Sequence, residues 1–347
     1  MDFGLDETQE ALRDLAAGLL AKEASQERLE AHERDGAPYD QRLWQALREA
    51  GLTAVCVPEH AGGAGLGPVE MAVVLREAGQ RAAPGPLTAT LVSTLAAARY
   101  GTPEQQKRLA GTTPSTVALR EPGRTLADPP GTTAEQTADG WVLTGRKCAV
   151  AFPGGETLVT AAEGLFLVSD PAGVTVTDEF TSTGEPAATL ALAATPAERV
   201  AGPEAVAGVR HLYTAALAAQ ASGVLAGALR LTTEHVRNRR QFGRALAEFQ
   251  AVTVQVADVY IAARALDVAM WSAAWRLSEG LPAEEDLALA AFHTAEAARA
   301  LFTCQHLHGG LGLDVTYPLH RYFAHAQHLA HRLGGADAQL DLIGALA

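Results

Sequence analysis

Apolar residues recur at helical spacing through the first third of the chain. Residues 6–24 carry a one-sided apolar stripe, and Asp6 and Gln9 at its start form the pattern of a capping box. A second stripe covers residues 40–51 and stops at a glycine, which helices favour at their C-terminal end. A third stripe covers residues 69–80. These patterns predict an N-terminal helical region.

The pattern changes near Thr116, where short runs typical of β-strands begin. Turn signals such as Asp-Gly, Pro-Gly-Gly and Asp-Pro separate these runs, which recur about every ten residues. The runs cover residues 141–144, 148–151, 157–159 and 165–168. This spacing predicts antiparallel strands in a small barrel or sandwich that ends near Gly202.

Long alanine-rich helical patterns fill the remainder of the chain. They cover residues 203–237, 248–278 and 283–305, and only Gly243, Gly280 and Pro282 interrupt them. Long apolar helices of this kind form the core of a helical bundle. The predicted fold class is mostly α with a central β domain. Its predicted parts are an N-terminal helical domain (1–115), a middle antiparallel β barrel or sandwich (116–202) and a C-terminal four-helix bundle (203–347).

Composition narrows the classes of function. The net charge of −13 opposes binding to a phosphate backbone, so we expect no nucleic-acid partner. The cysteines Cys56, Cys148 and Cys304 lie far apart without a Cys-x-x-Cys pair, which argues against a disulfide framework and predicts a reducing cytoplasm. Residues 1–7 lack the basic and apolar regions of a signal peptide, and no uncharged apolar stretch reaches about 18 residues. We expect a cytoplasmic protein that does not enter membranes.

Three further motifs have simple structural interpretations. The glycine-rich segment 58–67 lacks the Gly-Lys-Ser/Thr ending of a phosphate loop and predicts a flexible turn. Seven of the eleven histidines lie between His293 and His331, but no carboxylate or cysteine stands at ligand spacing, so we expect no metal site. Ser222 lacks the Gly-x-Ser-x-Gly context of a hydrolase nucleophile and is expected to serve helix packing.

Two segments in the C-terminal part are more specific. The first reads Arg239-Arg240-Gln241-Phe242-Gly243 and is followed by Phe249-Gln250-Ala251-Val252. The second reads His308-Gly309-Gly310-Leu311-Gly312 and is followed by Tyr317-Pro318. Together with the order of helices, β domain and helical bundle, these segments resemble the acyl-CoA dehydrogenase family over essentially the whole chain.

The resemblance implies FAD as cofactor and an acyl-CoA as substrate. Arg239 would pair with the flavin pyrophosphate, and Gln241 and Phe242 would lie beside the adenosine half, all reaching into a neighbouring subunit's flavin. Gly309 and Gly310 would let the backbone approach the same phosphates. His306 occupies the position of the family's glutamine beside the two glycines. The alternative is that Arg239 only forms a salt bridge at a helix end and that the glycines only terminate a helix.

The family's reaction removes the α-proton of the acyl-CoA while the β-hydrogen leaves as hydride, so it needs a carboxylate base. The resemblance assigns that base to the residue before Tyr-Pro, which is Thr316 here. A threonine hydroxyl cannot take this proton at neutral pH. Some branches of the family carry the glutamate on the first helix of the bundle, at a position that is Tyr213 here. We therefore assign no catalytic residue in this chain.

Other departures affect the half of the motif set that holds a subunit's own flavin ring. The family commonly reads Thr-Glu-Pro and then Ala-Gly-Ser-Asp, whereas this chain reads Arg120-Glu121-Pro122-Gly123-Arg124-Thr125. Ala149 occupies the position of an aromatic residue. The half that would be donated across an interface is retained.

This asymmetry suggests the base-less subunit of a heteromeric acyl-CoA dehydrogenase, a heterotetramer whose paralogous partner carries the catalytic glutamate. The segment from His308 to Pro318 resembles the base-less partner in enzymes that shorten steroid side chains, so a steroid-derived acyl-CoA is the first candidate substrate. An electron-transfer acceptor would reoxidise the flavin. Two alternatives remain open. One is a self-sufficient homotetramer with a non-standard base such as Asp314 or Glu121, and the other is a non-catalytic scaffold that binds an acyl-CoA or a protein.

Overall fold

The computed structural model describes residues 4–111 and 113–346. The predicted lack of a signal peptide rests in part on Met1, Asp2 and Phe3, which lie outside the described residues. Clustering of contacts divides the chain into two compact units. The helical unit comprises Met1–Ala37, Ala72–Ala83 and Leu217–Ala347, and the sheet unit comprises Pro38–Met71 and Pro84–Ala216. The division into three domains at residues 115 and 202 stays a prediction.

Helices occupy both ends of the described chain. They are α1 (Glu7–Glu23), α2 (Gln26–Asp35), α3 (Gln41–Glu49), α4 (Pro68–Gln80), α5 (Leu87–Tyr100), α6 (Pro103–Leu109), α7 (Glu204–Asn238), α8 (Gln250–Ser278), α9 (Glu284–His308), α10 (Leu319–Arg332) and α11 (Gly335–Leu346). The predicted fold class, mostly α with a central β region, is confirmed.

The local helix signals act as predicted. The Asp6 carboxylate accepts a hydrogen bond from the Gln9 backbone N (2.8 Å), and the Asp6 backbone N donates to the Gln9 side chain (3.1 Å), which completes the capping box of α1. Asp40 caps α3 by accepting from the backbone N of Arg42 at 2.8 Å. The long helices α7, α8 and α9 match the three predicted patterns within a few residues.

Nine strands lie between and within these helical regions of the described chain. They are β1 (Thr116–Ala118), β2 (Thr133–Thr137), β3 (Gly140–Ala151), β4 (Thr157–Ala161), β5 (Gly164–Val168), β6 (Val174–Glu179), β7 (Ala187–Ala201), β8 (Arg240–Gln241) and β9 (Arg244–Ala245). The first seven form one sheet in the order β1-β4-β5-β7-β3-β2, with β6 paired to β7. Its core includes Phe166, Leu143 and Val159.

Three details of the sheet differ from the expectation. The sheet is open, since β1 and β2 each pair with a single neighbour among the described residues, so the sandwich alternative fits and the closed barrel is wrong. The β1–β4 pair is parallel, whereas the other pairs are antiparallel. The predicted runs at 141–144 and 148–151 are one strand, β3. Register shifts against β7 interrupt its alternation and made it look like two.

Close backbone contacts hold α4 against α7 inside the helical unit. A Cβ on Gly223 would collide with the Arg76 carbonyl oxygen, and a Cβ on Gly79 would collide with the Gln220 carbonyl oxygen. Beside this contact the buried Ser222 hydroxyl donates to the Asp267 carboxylate at 2.5 Å, and it accepts from Arg76 Nε at 3.0 Å. Ser222 therefore serves helix packing, as the sequence predicts.

The glycine-rich turn at residues 58–67 and the apolar helix α7 both have structural roles. Backbone hydrogen bonds tie the glycine-rich turn back onto the preceding residues, with Gly65 N to Val57 O at 2.8 Å and Leu66 N to Val55 O at 2.9 Å. Helix α7 is long and apolar enough to span a membrane, but 78% of its most apolar 18-residue window is buried inside the molecule. Such burial is what the core helix of a bundle requires.

Candidate functional site

The Arg-x-Gln-Phe-Gly segment forms a small hairpin between α7 and α8. Strands β8 and β9 pair Arg240 with Ala245 and Gln241 with Arg244, and Phe242 and Gly243 form the turn. Both turn residues have positive φ, 51° and 81°, as a two-residue hairpin turn that follows the strand twist requires. The Phe242 side chain at the tip is 91% exposed.

The Phe249 ring, which follows the hairpin in the chain, packs against two of its side chains. The Arg244 guanidinium lies 4.0 Å from the centroid of the Phe249 ring, a cation–π contact. The Phe242 ring meets the same Phe249 ring edge-on at 6.4 Å between centroids. A large apolar side chain is thus held in solvent by an ordered turn.

Arg239 connects α7 to this hairpin. Its backbone N donates to the His235 carbonyl oxygen (2.8 Å), and its own carbonyl oxygen accepts from Leu246 N (2.9 Å), so the backbone position is fixed on both sides. The side chains of Arg239 and Gln241 are exposed. Within residues 4–111 and 113–346, the Arg239 guanidinium forms no salt bridge. The alternative interpretation of Arg239, a salt bridge at the helix end, therefore has no carboxylate to support it.

The two glycines stand at the end of α9. Gly309 has φ 61° and ψ −137°, a conformation essentially restricted to glycine, and its backbone N donates to the His306 carbonyl oxygen. Gly309 and Gly310 are exposed, and apart from their own chain neighbours no described atom lies within 4 Å of the position that a Cβ would take on either residue. The backbone is therefore open to a ligand. Gly309 also terminates the helix, so both of its interpretations fit the geometry.

The structure brings the two segments together within the helical unit. The His235 ring, one turn before Arg239, stacks on the His308 ring, directly before Gly309, with 4.3 Å between centroids and an interplanar angle of 23°. His306, two residues earlier on α9, is exposed. No signal in the sequence indicated this stacking contact, although both histidines adjoin the two motifs.

Thr316, at the expected position of the base, is exposed and bonded to its neighbour. Its backbone N and its hydroxyl both donate to Asp314 Oδ1, each at 2.8 Å, and its carbonyl oxygen accepts from Gln26 Nε2 at 3.3 Å. The two bonds from Thr316 lower the pKa of the Asp314 carboxyl. Asp314 is thus an ionised turn residue. Tyr213, at the second possible address of the base, is buried in the sheet unit.

Glu121, the other candidate for a non-standard base, belongs to a buried polar cluster of the sheet unit. The Nζ of the fully buried Lys147 lies 2.6 Å from Glu121 Oε1, and Thr132 donates to the same oxygen from both its backbone N (3.0 Å) and its hydroxyl (2.7 Å). Burial raises the pKa of Glu121, but the bonds from Lys147 and Thr132 outweigh it and lower this pKa to about 2. A carboxylate with that pKa is a poor base at neutral pH.

The remaining departures from the family pattern lie in the same unit. Ala149 sits at an irregular point of β3 with φ 52°, and its backbone N donates to Glu179 Oε1 at 3.1 Å. The backbone N of Cys148 donates to the Arg120 carbonyl oxygen at 2.9 Å, which links two altered segments.

Throughout the described ranges, no group of three or more His, Cys, Asp or Glu side chains is arranged to hold a metal ion.

Comparisons with known proteins match nearly the whole chain to one protein family. The family profile "Acyl-CoA dehydrogenase, N-terminal domain" matches residues 6–113, and "Acyl-CoA dehydrogenase, C-terminal domain" matches residues 212–346. Acyl-CoA dehydrogenase FadE28 of Mycobacterium tuberculosis is 38% identical, covering 99% of this chain and 98% of that protein. FadE27 of the same organism is 34% identical with the same coverage.

Two solved structures, each named for two proteins, are also similar. The Tcur3481-Tcur3483 steroid ACAD G363A variant gives a TM-score of 0.93 at 39% identity, covering 98% of this chain and 97% of that one. The ChsE4-ChsE5 complex from Mycobacterium tuberculosis gives 0.92 at 34% identity, covering 99% and 98%.

The strained glycine provides a test of the turn. We expect Gly309→Ala to lower the free energy of unfolding by about 1–3 kcal/mol, because an L-residue does not adopt its φ and ψ without strain. Gly310→Ala is the matched control, since Gly310 has ordinary φ and equally open surroundings. Chemical denaturation of both variants measures the difference, and equal stability of the two would contradict this assignment of strain.

The buried ion pair provides a second test. We expect Lys147→Met to lower the free energy of unfolding by about 3–5 kcal/mol at neutral pH, because it removes the buried cation of Glu121 and leaves only the half-exposed Arg124, whose Nε lies 3.7 Å from Glu121 Oε2. The loss should shrink in acid as Glu121 is protonated, because its lowered pKa contributes stability above its ordinary value of 4.5 and loses it as the pH falls toward about 2. Lys107→Met, on the exposed surface, is the control, and an equal effect of both substitutions would exclude a structural ion pair.

Proposed function

The chain belongs to the acyl-CoA dehydrogenase family of FAD-dependent oxidoreductases, and from that premise we propose that it is the base-less subunit of a heteromeric enzyme. In this proposal it completes the flavin site of a paralogous subunit that carries the catalytic glutamate. One observation carries the proposal. The residues that would reach a neighbour's flavin are retained and exposed, whereas neither expected position of the base holds a carboxylate.

The retained residues fit a dinucleotide. A pyrophosphate needs a cation and accessible backbone, which Arg239 and the open turn at Gly309 and Gly310 offer. Gln241 offers an amide for hydrogen bonds, and His306 an exposed imidazole. When bound, FAD supplies the acceptor for the hydride. The residues of this chain bind and orient its phosphate end.

The exposed hairpin supports a contact between subunits. A phenylalanine held in solvent at the tip of an ordered turn, as Phe242 is, is typical of a residue that a partner covers. Arg239, Gln241 and Phe242 all lie on this projection, so one protein surface could cover all three. This arrangement supports donation across an interface.

The missing base favours a partner over a self-sufficient enzyme. Thr316 offers only a hydroxyl, which already donates to Asp314, and the pKa of Asp314 is lowered. Glu121 is held by Lys147 with a pKa of about 2. Each carboxylate considered as a substitute is thus occupied in a structural bond, and we assign removal of the α-proton to a glutamate of the partner.

A second exposed surface supports an assembly larger than one pair. Val254, Ile261 and Val268 stand seven residues apart on α8 and form an exposed apolar stripe on the side opposite its buried face. Asp258 and Arg264 lie three residues before and after Ile261. In an antiparallel pair of such helices centred on Ile261, unlike charges would lie at the same level, which suits a two-fold contact within a heterotetramer.

The similar proteins guide the choice of substrate. One similar structure is named a steroid ACAD, and both similar structures carry the names of two proteins, one of them as a complex. We therefore assign α,β-dehydrogenation of a CoA thioester, with a steroid side chain as its acyl group, followed by reoxidation through an electron-transfer acceptor. The acidic surface and the separated cysteines suit a cytoplasmic location.

The cross-interface contact is tested by Arg239→Ala in the complex with the partner. We expect FAD to bind about 10- to 100-fold more weakly, because a charge-assisted hydrogen bond contributes about 1.5–3 kcal/mol. Arg240→Ala, which removes the adjacent exposed charge, should have a much smaller effect. Fluorescence of released flavin measures the affinity, and an unchanged affinity of the Arg239 variant would defeat the assignment.

The division of labour is tested by Thr316→Glu in the chain without its partner. We expect no dehydrogenation, because the segments around Arg120 and Ala149 that would hold a flavin ring are altered as well as the base. Thr316→Gln controls for side-chain size. Anaerobic bleaching of flavin on addition of acyl-CoA is the readout. Bleaching by the Glu variant but not by the Gln variant would show that the missing base is the only defect and that the chain holds its own flavin, which would contradict this division of labour.

A further inference from the structure

Two histidines connect the segments that the proposed function assigns to FAD. Arg239 follows the last turn of α7, and its backbone N is bonded to the His235 carbonyl oxygen. Gly309 and Gly310 follow the last turn of α9, which ends at His308. The stacked rings of His235 and His308 therefore join the two helix ends directly behind the residues that would hold the pyrophosphate.

Hydrogen bonding defines the state of the His308 ring. Its Nδ1 lies 2.7 Å from the Cys304 carbonyl oxygen, which can only accept, so Nδ1 carries the proton. In the neutral ring Nε2 is then an unprotonated acceptor. This atom is buried and has no hydrogen-bond partner within the part of the chain that the structure describes. An unpaired buried polar atom is costly, and such atoms persist where a position has another use.

The surroundings of the stack favour two neutral rings. Burial lowers the pKa of His308, and burial, His308 and Arg239 together lower the pKa of His235. The Tyr317 ring lies 5.3 Å from the His308 ring between centroids, and the charge of Glu234 acts on that tyrosine. The groups around the stack thus include the Arg239 cation, the Tyr317 phenol and the Glu234 carboxylate that acts on the phenol. A proton on either imidazole would place a second cation beside Arg239.

We propose that the His235–His308 stack is a positioning device that fixes Arg239 relative to Gly309 and Gly310, so that the guanidinium and the glycine backbone engage the same pyrophosphate. The proposal rests on the proposed function of these three residues. The two histidines touch neither substrate nor cofactor in it. They act through the helix ends that they join, and they do so only while both rings are uncharged.

Acid should therefore release FAD from the complex. Both pKa values are lower in the folded chain than the ordinary 6.5, so the folded arrangement is fully stable above that pH and loses stability as the pH falls from 6.5 through the lowered values. We expect FAD affinity to fall together with this loss. A role in packing alone would leave affinity independent of pH across this window.

The test compares substitutions of His308 in the complete complex, with FAD as the probe. We expect His308→Ala to weaken FAD binding about tenfold, because it removes the stack, whereas His308→Phe keeps an aromatic ring and should stay within about threefold. The double variant His235→Phe/His308→Phe should bind FAD equally at about pH 7.5 and about pH 5.5, whereas the unsubstituted complex should lose affinity in acid. His293→Phe, the same change at a half-buried histidine elsewhere on α9, is the control.

The outcomes separate this inference from the function on which it rests. If Arg239→Ala weakens FAD binding but His308→Ala does not, or if the double variant keeps the acid sensitivity, the stack is not a positioning device. If Arg239→Ala has no effect, the cross-interface assignment itself fails. Native mass measured on each sample shows whether the complex is intact, and a lost affinity in a fully assembled complex is the result that supports positioning.

Discussion

One uncompensated positive charge governs the proposed site. Backbone bonds on both sides fix Arg239 at the end of a largely buried helix, yet its exposed guanidinium forms no salt bridge in residues 4–111 and 113–346. Other cations of this chain, such as Arg108, Arg321 and Lys147, do have such partners. In the proposed function, the pyrophosphate of a flavin supplies the anion that pairs with this guanidinium.

The other residues of the candidate site lie near this charge or on the same projection. The hairpin with two residues at positive φ places Phe242 and Gln241 on the same projection, and the glycine turn at Gly309 leaves its backbone bare beside the stacked histidines. Meanwhile the carboxylates that could have made the chain a complete catalyst are committed elsewhere. Asp314 orders its own turn, and Glu121 neutralises a fully buried lysine. This arrangement supports the proposed role, in which the chain binds flavin and leaves proton abstraction to its partner.

Local signals predicted the fold well, and contacts between distant residues account for what they missed. Asp6 and Asp40 cap their helices because capping depends on three or four neighbouring residues. The bulges of β3 and the parallel β1–β4 pair depend on partner strands and could not be seen in the sequence. For the site, the resemblance to the family's motifs pointed to Arg239 and Gly309, but the stack joins His235 to His308 across 73 positions of the chain, and no periodicity encodes that contact.

The most direct measurement is the ratio of flavin to protein, together with native mass, for the chain alone and for the chain mixed with its glutamate-bearing paralogue. The account predicts that the chain alone retains little flavin, and that mixing yields a heteromer with one flavin for each pair of unlike chains. A chain that purifies alone with bound flavin, bleached by anaerobic acyl-CoA, would contradict the account and return the search for a base to Asp314 and Glu121. A heteromer that never takes up flavin would contradict it as well and would favour a scaffold.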